Sequence, residues 1–130
     1  LAEEFAREDF VTWYRNPPRK SFSLAIPYEK DNQIKAMYPD FIIVRKDGDS
    51  YVADMLEPHN PELGDNLGKA KAFAKYAEEC ALFGRIQLIR VNGEHVKRLE
   101  FTKRDIRERV MLCNNLEDLN RVFGDCAVEE

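Results

Sequence analysis

Apolar and polar residues alternate from Ser21 to Tyr28, with Phe22, Leu24 and Ile26 on one side and Ser21, Ser23 and Ala25 on the other. That period predicts a half-buried strand. Glu29 to Met37 then reads as a polar loop. Two denser apolar runs follow, Pro39 to Arg45 and Tyr51 to Leu56, joined by Lys46-Asp47-Gly48-Asp49-Ser50. They predict a hairpin, with Gly48 available for the positive φ of a tight turn. After a connection from Pro61 to Leu67 the period changes. Leu67, Ala70, Phe73, Ala74, Ala77 and Ala81 fall on one face of a helix, and the small alanines imply close packing on a sheet. Arg85 to Val91 is an apolar strand, Asn92-Gly93 a hairpin signal, and Glu94 to Phe101 the returning strand.

The two ends are read as helical. Leu1 and Phe5, and again Phe10 and Trp13-Tyr14, sit one turn apart, which predicts a helix from Leu1 to about Tyr14. Arg15-Asn16-Pro17-Pro18 stops it, because proline removes a donor and restricts the residue before it. Thr102 with Asp105 resembles a capping pair for a helix through Ile106 and Val110 to about Cys113. Asn114 or Asn115 caps a last helix carrying Leu116, Leu119, Val122 and Phe123, ended by Gly124, and Ala127 to Glu130 is expected to fray. The resulting order is helix, three strands, helix, strand, then a strand and two helices. It predicts one mixed α/β domain over residues 1–130, with a central sheet flanked by helices.

Composition narrows the function classes. The chain has 130 residues, 44% hydrophobic and 34% charged, as in ordinary globular proteins. No apolar run approaches roughly 18 residues, so no membrane span is expected. The opening Leu1-Ala2-Glu3-Glu4 is acidic, unlike a signal peptide, and a start at Leu reads as a fragment or a processed product. Cys80, Cys113 and Cys126 show no CxxC spacing, so they are read as reduced thiols in a cytoplasmic protein rather than disulfides or zinc ligands. A net charge of -4 argues against purely electrostatic binding to nucleic acid. It leaves room for a nuclease, since acids that hold a metal ion add negative charge.

The chemistry centres on the hairpin. Each strand carries one aspartate, Asp40 and Asp54, where a buried strand favours none. Two carboxylates on neighbouring strands can grip one hard cation. The plainer alternative is that Asp40 caps the turn after Pro39 while Asp54 pairs with a lysine. Pro39-Asp40, a hairpin, Asp54 and then a helix resemble the PD-(D/E)xK nuclease superfamily, whose core of helix, three strands, helix and strand is matched over residues 1 to about 91. The resemblance implies a restriction-endonuclease-like fold and metal binding by Asp40 and Asp54, with the Met55 backbone carbonyl assisting. The family's lysine, two residues after the second acid, is Leu56 here. A branch of the superfamily moves that lysine onto the next helix, which offers Lys69, Lys71 and Lys75. Lys69 is the choice and Lys71 the alternate, each also readable as a lysine at the edge of a packed helix.

Trp13-Tyr14-Arg15-Asn16-Pro17, Ala25-Ile26-Pro27-Tyr28, Tyr38-Pro39-Asp40-Phe41, Leu56-Glu57-Pro58-His59 and Gly84-Arg85-Ile86-Gln87 resemble the region after the motor in DEAD/DEAH-box helicases related to type III restriction subunits. This implies DNA as partner, a helicase motor in the same polypeptide and Mg²⁺ (or Mn²⁺) as cofactor. No GxxxxGK[ST] motif is present, so this segment does not itself hydrolyse ATP. Glu3 and Glu4 are expected to face solvent, Glu57 to be an extra metal ligand or, more simply, a turn-facing acid, and His59 to be a proton shuttle or, more simply, a loop residue bonded locally. Gln87 is expected to touch the site or pack at a strand end. Lys97, Arg98, Lys103, Arg104, Arg107 and Arg109 form a basic zone, with interleaved acids that favour a salt-bridged face. The expected function is a metal-dependent DNA endonuclease. The alternative is a catalytically degenerate nuclease fold serving as a DNA-binding or docking module, which Leu56 favours.

Overall fold

The first strand of the sheet lies where the sequence predicts a helix. In the computed structural model, which describes residues 2–20, 23–30, 32–58, 66–80, 82–92 and 95–129, helix α1 (Ala2–Phe5) is one turn long and Phe10–Arg15 is strand β1. β1 runs antiparallel to β4 (Phe41–Asp47), with a register shift between Phe10 and Thr12. That shift puts Phe10 opposite Arg45 and Trp13 opposite Ile43, so residues three apart share one face. A bulge therefore mimics the helical spacing. The β-branched and aromatic content of this segment suits a strand, and the Trp13 ring packs 5.9 Å from Phe5 and 6.0 Å from Phe41.

Residues expected to form a polar loop are also extended. β2 (Ile26–Lys30) and β3 (Gln33–Met37) form a separate two-stranded antiparallel sheet. Asn32 in the turn has φ 61°, a conformation asparagine tolerates better than most residues. Ser21 and Phe22, at the start of the predicted strand, lie outside the described residues. The first sheet strand is thus β1, and the alternating segment belongs to the hairpin beside it.

The main sheet is six-stranded, in the order β1-β4-β5-β6-β7-β8. Its other members are β5 (Ser50–Pro58), β6 (Phe83–Asn92), β7 (His95–Glu100) and β8 (Val128–Glu129). β5 and β6 are parallel and the other neighbours antiparallel. Helix α2 (Asn66–Glu79) makes the crossover between them, as a parallel pair requires. Gly48 takes φ 61° in the β4–β5 turn. The expected frayed tail instead supplies β8, which pairs with Lys97 and Arg98 of β7. Helices α3 (Arg104–Met111) and α4 (Leu116–Cys126) lie between β7 and β8. The Asp118 backbone N–H donates to Asn115 Oδ1 at 2.9 Å, the expected cap of α4, but the helix continues past Gly124. At α3 no side chain caps the helix, because the Thr102 hydroxyl donates to Glu100 instead.

Register sorts the sheet into two unlike faces. Met55, Ile86, Leu88, Leu99 and Phe101 point to one side and pack on Ala70, Phe73 and Ala74 of α2, on Ile106 and Val110 of α3 and on Leu119, Val122 and Phe123 of α4. Burial of each large side chain there contributes roughly 1.5–3 kcal/mol. The opposite face carries Ile43, Asp54, Leu56, Arg85, Gln87, Arg98 and Glu100, and α1 reaches it through Glu4. This is a mixed α/β fold with a central mixed sheet flanked by helices. Among the described residues no helix is long and apolar enough to cross a membrane.

Candidate functional site

The polar face is a continuous network of ions. Asp54 is fully buried and both of its oxygens are occupied. Arg45 donates through Nε to Oδ2 and through Nη2 to Oδ1 at 3.0 Å. Arg85 adds its backbone N–H to Oδ1 at 2.9 Å and its Nε to Oδ2 at 2.9 Å. Arg85 reaches on to Glu4 Oε1 at 2.5 Å, and Arg98 donates to Glu4 Oε2 at 2.5 Å. Arg98 also donates to Gln87 Oε1, whose amide donates to Glu100. At the other end Arg45 donates to Asp9. Burial pushes the Glu4 carboxyl up, but the Arg85 and Arg98 guanidiniums overcome it and hold the group below the usual carboxylate range.

Several expectations change here. Glu4 does not face solvent; it is 2% exposed and joins two arginines. Gln87 is committed to Arg98 and Glu100. Asp54 is salt-bridged, as the plainer alternative held, but to two arginines rather than a lysine. Asp40 and Asp54 are not brought together. Asp47 pairs with Ser50 and Phe41 with Leu56, so Asp54 shares a face with Leu56 and Ile43, while Asp40 falls in line with Glu57 and Met55. Met55 lies between β4 and β6 and pairs with both; its carbonyl sits in a central strand whose backbone groups serve the ladders. In the expected basic zone, Arg104 pairs with Glu108 and Arg109 with Asp125, while Arg107 donates to the Phe101 and Thr102 carbonyls. It is largely a salt-bridged face.

Gly84 sits tight against this network. A Cβ there would lie 2.6 Å from Val52 Cγ2 and 2.9 Å from both Arg45 Nη2 and Asp54 Oδ1. The absence of a side chain lets β6 approach the ion pairs. Gly84→Ala is expected to cost about 2–3 kcal/mol by overpacking, measured as a lower urea midpoint with unchanged slope. A loss under about 0.5 kcal/mol would show that the pairs move aside freely.

The acid that does meet Asp40 is Glu57. The Asp40 backbone N–H donates to Glu57 Oε1 at 3.1 Å, and Glu57 is 8% exposed. Its carboxyl is pushed up to about 7, first by burial and then by the charge of Asp40; the Asp40 N–H and Lys69 pull it back. Lys69 stands in the first turn of α2 beside buried Asn66. Two hard-oxygen acids and one cation therefore converge where β4 begins, β5 ends and α2 starts. Lys71 and Lys75 instead line a groove against β2. The structure thus joins Asp40 and Lys69 but replaces Asp54 with Glu57. His59 lies outside the described residues, and among those described no three His, Cys, Asp or Glu side chains cluster as metal ligands. The signal that locates Glu57 is register: a two-residue turn at Gly48-Asp49 fixes every partner and puts Asp40 opposite Glu57.

Against known proteins, a model of the YagJ family matches residues 1–128. A curated relative, Protein YagJ of Escherichia coli (strain K12), is 32% identical over 118 residues, which cover 89% of this chain and 49% of the relative. The chain thus spans about half the length of that relative. No solved structure gives a significant match.

Proposed function

The chain belongs to the YagJ family, a name that carries no chemistry of its own, and from the geometry we propose a metal-dependent nuclease domain acting on DNA, with Asp40, Glu57 and Lys69 as its site. The supporting observation is the buried Glu57 carboxylate held against Asp40 with Lys69 opposite. The donor set fits Mg²⁺ or Mn²⁺, which favour carboxylate oxygens, and a divalent ion relieves the repulsion that raises Glu57. Asp54 does not fit, because four N–H groups already fill its oxygens. Asp40 and Glu57 would hold the ion, which would supply a lowered water pKa and a polarised phosphodiester, and Lys69 would orient water and offset charge on the scissile phosphate. A helicase motor in the same polypeptide belongs to this reading through the resemblance alone, and a cytoplasmic setting through the sparse cysteines.

The test is cleavage of end-labelled single- and double-stranded DNA with Mg²⁺ or Mn²⁺. Lys69→Ala is expected to slow cutting about 100-fold or more, and Lys71→Ala to leave it within about threefold. Absence of metal-dependent cutting by the unsubstituted protein, or cutting indifferent to Lys69, sinks the proposal. The second reading, a degenerate fold serving as a DNA-binding or docking module, is favoured by Leu56, which is 1% exposed at the position where the superfamily carries its lysine.

A further inference from the structure

The groove between the β2–β3 hairpin and α2 is separate from the carboxylate site and from the ion network. Its volume is about 720 Å³, within the range of roughly 300–1,000 Å³ common for binding sites. Its α2 wall runs from Leu67 to Glu79, a length of about 18 Å at the helical rise. Ile26, Ile34, Leu67 and Met111 give the walls their aliphatic part, beside the rings of Tyr28 and Tyr76. Ile34 is 74% exposed and Met111 47%, so both rims present apolar surface to water. Lys71 and Lys75 stand one turn apart between those walls.

Among the described residues neither lysine side chain makes a hydrogen bond or an ion pair, and Lys75 does not pair with Glu79, which lines the same groove four residues on. Arg45, Arg85, Arg98, Arg104, Arg109 and Arg121 all hold carboxylates. The chain as a whole is acidic, with net charge -4, so two lysines against the single carboxylate of Glu79 make a local excess of cation in this groove. We infer that this groove docks an acidic, aliphatic peptide segment of a partner protein. The segment's branched side chains would cover Ile34, Leu67 and Met111, with an Asp or Glu set between Lys71 and Lys75. An extended strand of about five or six residues spans the groove. Aliphatic walls suit peptide side chains better than nucleobases, which prefer open aromatic faces. Neither tyrosine of the lining offers one: the Tyr76 ring packs on Phe83 and its hydroxyl takes a hydrogen bond from Cys80, and Tyr28 is half-buried against the core.

A random library of 12-residue peptides selected on the whole chain tests this. Selected sequences should combine Asp or Glu with Ile, Leu or Val. The best of them, made synthetically, should bind at least about tenfold more weakly to Lys71→Glu/Lys75→Glu and to Ile34→Asp. Both variants alter exposed or half-buried positions, and unchanged circular dichroism and melting temperature confirm that they fold. Failure to enrich any sequence, enrichment without acids, or binding indifferent to both variants overturns the inference. So does a 12-nucleotide oligo-dT that binds more tightly than any peptide and is lost on Lys71→Glu/Lys75→Glu. Cleavage of DNA is not measured in this experiment, so its outcome is independent of the nuclease proposal.

Discussion

Arg85→Ala is expected to destabilise the protein by about 3–5 kcal/mol, enough to unfold much of it at 37 °C. The side chain is 14% exposed and bonds two carboxylates that are 0% and 2% exposed. Removing it leaves Asp54 with Arg45 and Glu4 with Arg98, each short of donors in a place that water does not reach. The cost is that of stranding buried charge, not the net worth of the pair. Arg85→Lys keeps the charge but loses the fork that serves both acids, and should fall between. Urea denaturation at pH 7 gives the values. A loss below about 1 kcal/mol would mean the network is a surface arrangement of the usual small worth. The companion variant, Asp54→Ala, separates two accounts of that residue. In a metal site held open, removing one acid relieves repulsion and stabilises the metal-free protein. In the ion network it leaves Arg45 and Arg85 uncompensated, and stability should fall by a similar 3–5 kcal/mol.

Glu57→Gln should act in the opposite direction. The Glu57 carboxyl rises from its ordinary 4.5 to about 7 in the fold, so between those values the native state binds more protons than the unfolded chain. Stability therefore falls as pH rises from about 4.5 to about 7, and the cost is complete above pH 7. At 1.36 kcal/mol for each pKa unit, the upper bound is about 3 kcal/mol. Glutamine carries no such charge. The variant should melt above the unsubstituted protein at pH 8 and match it near pH 4.5. Mn²⁺ at pH 8 should restore stability to the unsubstituted protein and leave Glu57→Gln unmoved, with DNA cutting reduced at least about 100-fold. A variant no more stable at pH 8 sinks the buried-acid description. Equal stabilisation of both proteins by Mn²⁺ sinks the assignment of Glu57 as a ligand.

The hairpin, α2 and the returning strand after Asn92 were legible because hydrophobic period and turn chemistry agree there. β1 was not, because its bulge sets Phe10 and Trp13 three residues apart on one face, the spacing of a helix. β3 was missed because its side chains are largely exposed, so its sequence carries no alternation: only Met37 is buried. β8 is two residues long and depends on β7 for its existence. At the site, Lys69 could be placed by the helical wheel, since its neighbour Ala70 is fully buried. That Asp54 is taken up by arginines was not legible for a different reason. Residue type says that a buried acid needs a cation, but not which cation, and Arg85 lies 31 residues further along the chain. Strand parity would have separated the two acids, once the turn was centred on Gly48-Asp49.

The contact from Arg98 to Glu4 joins residues 94 apart in sequence, which gives the network a place in time as well as in space. Closing so long a loop in an unfolded chain costs about 4 kcal/mol of entropy before any bond is made. Glu4 sits in a helix of one turn, too short to persist alone in water, and its partners stand in position only once β5, β6 and β7 have aligned. The segment around Glu4 is therefore expected to dock after those strands have paired, as a fastening rather than a foundation.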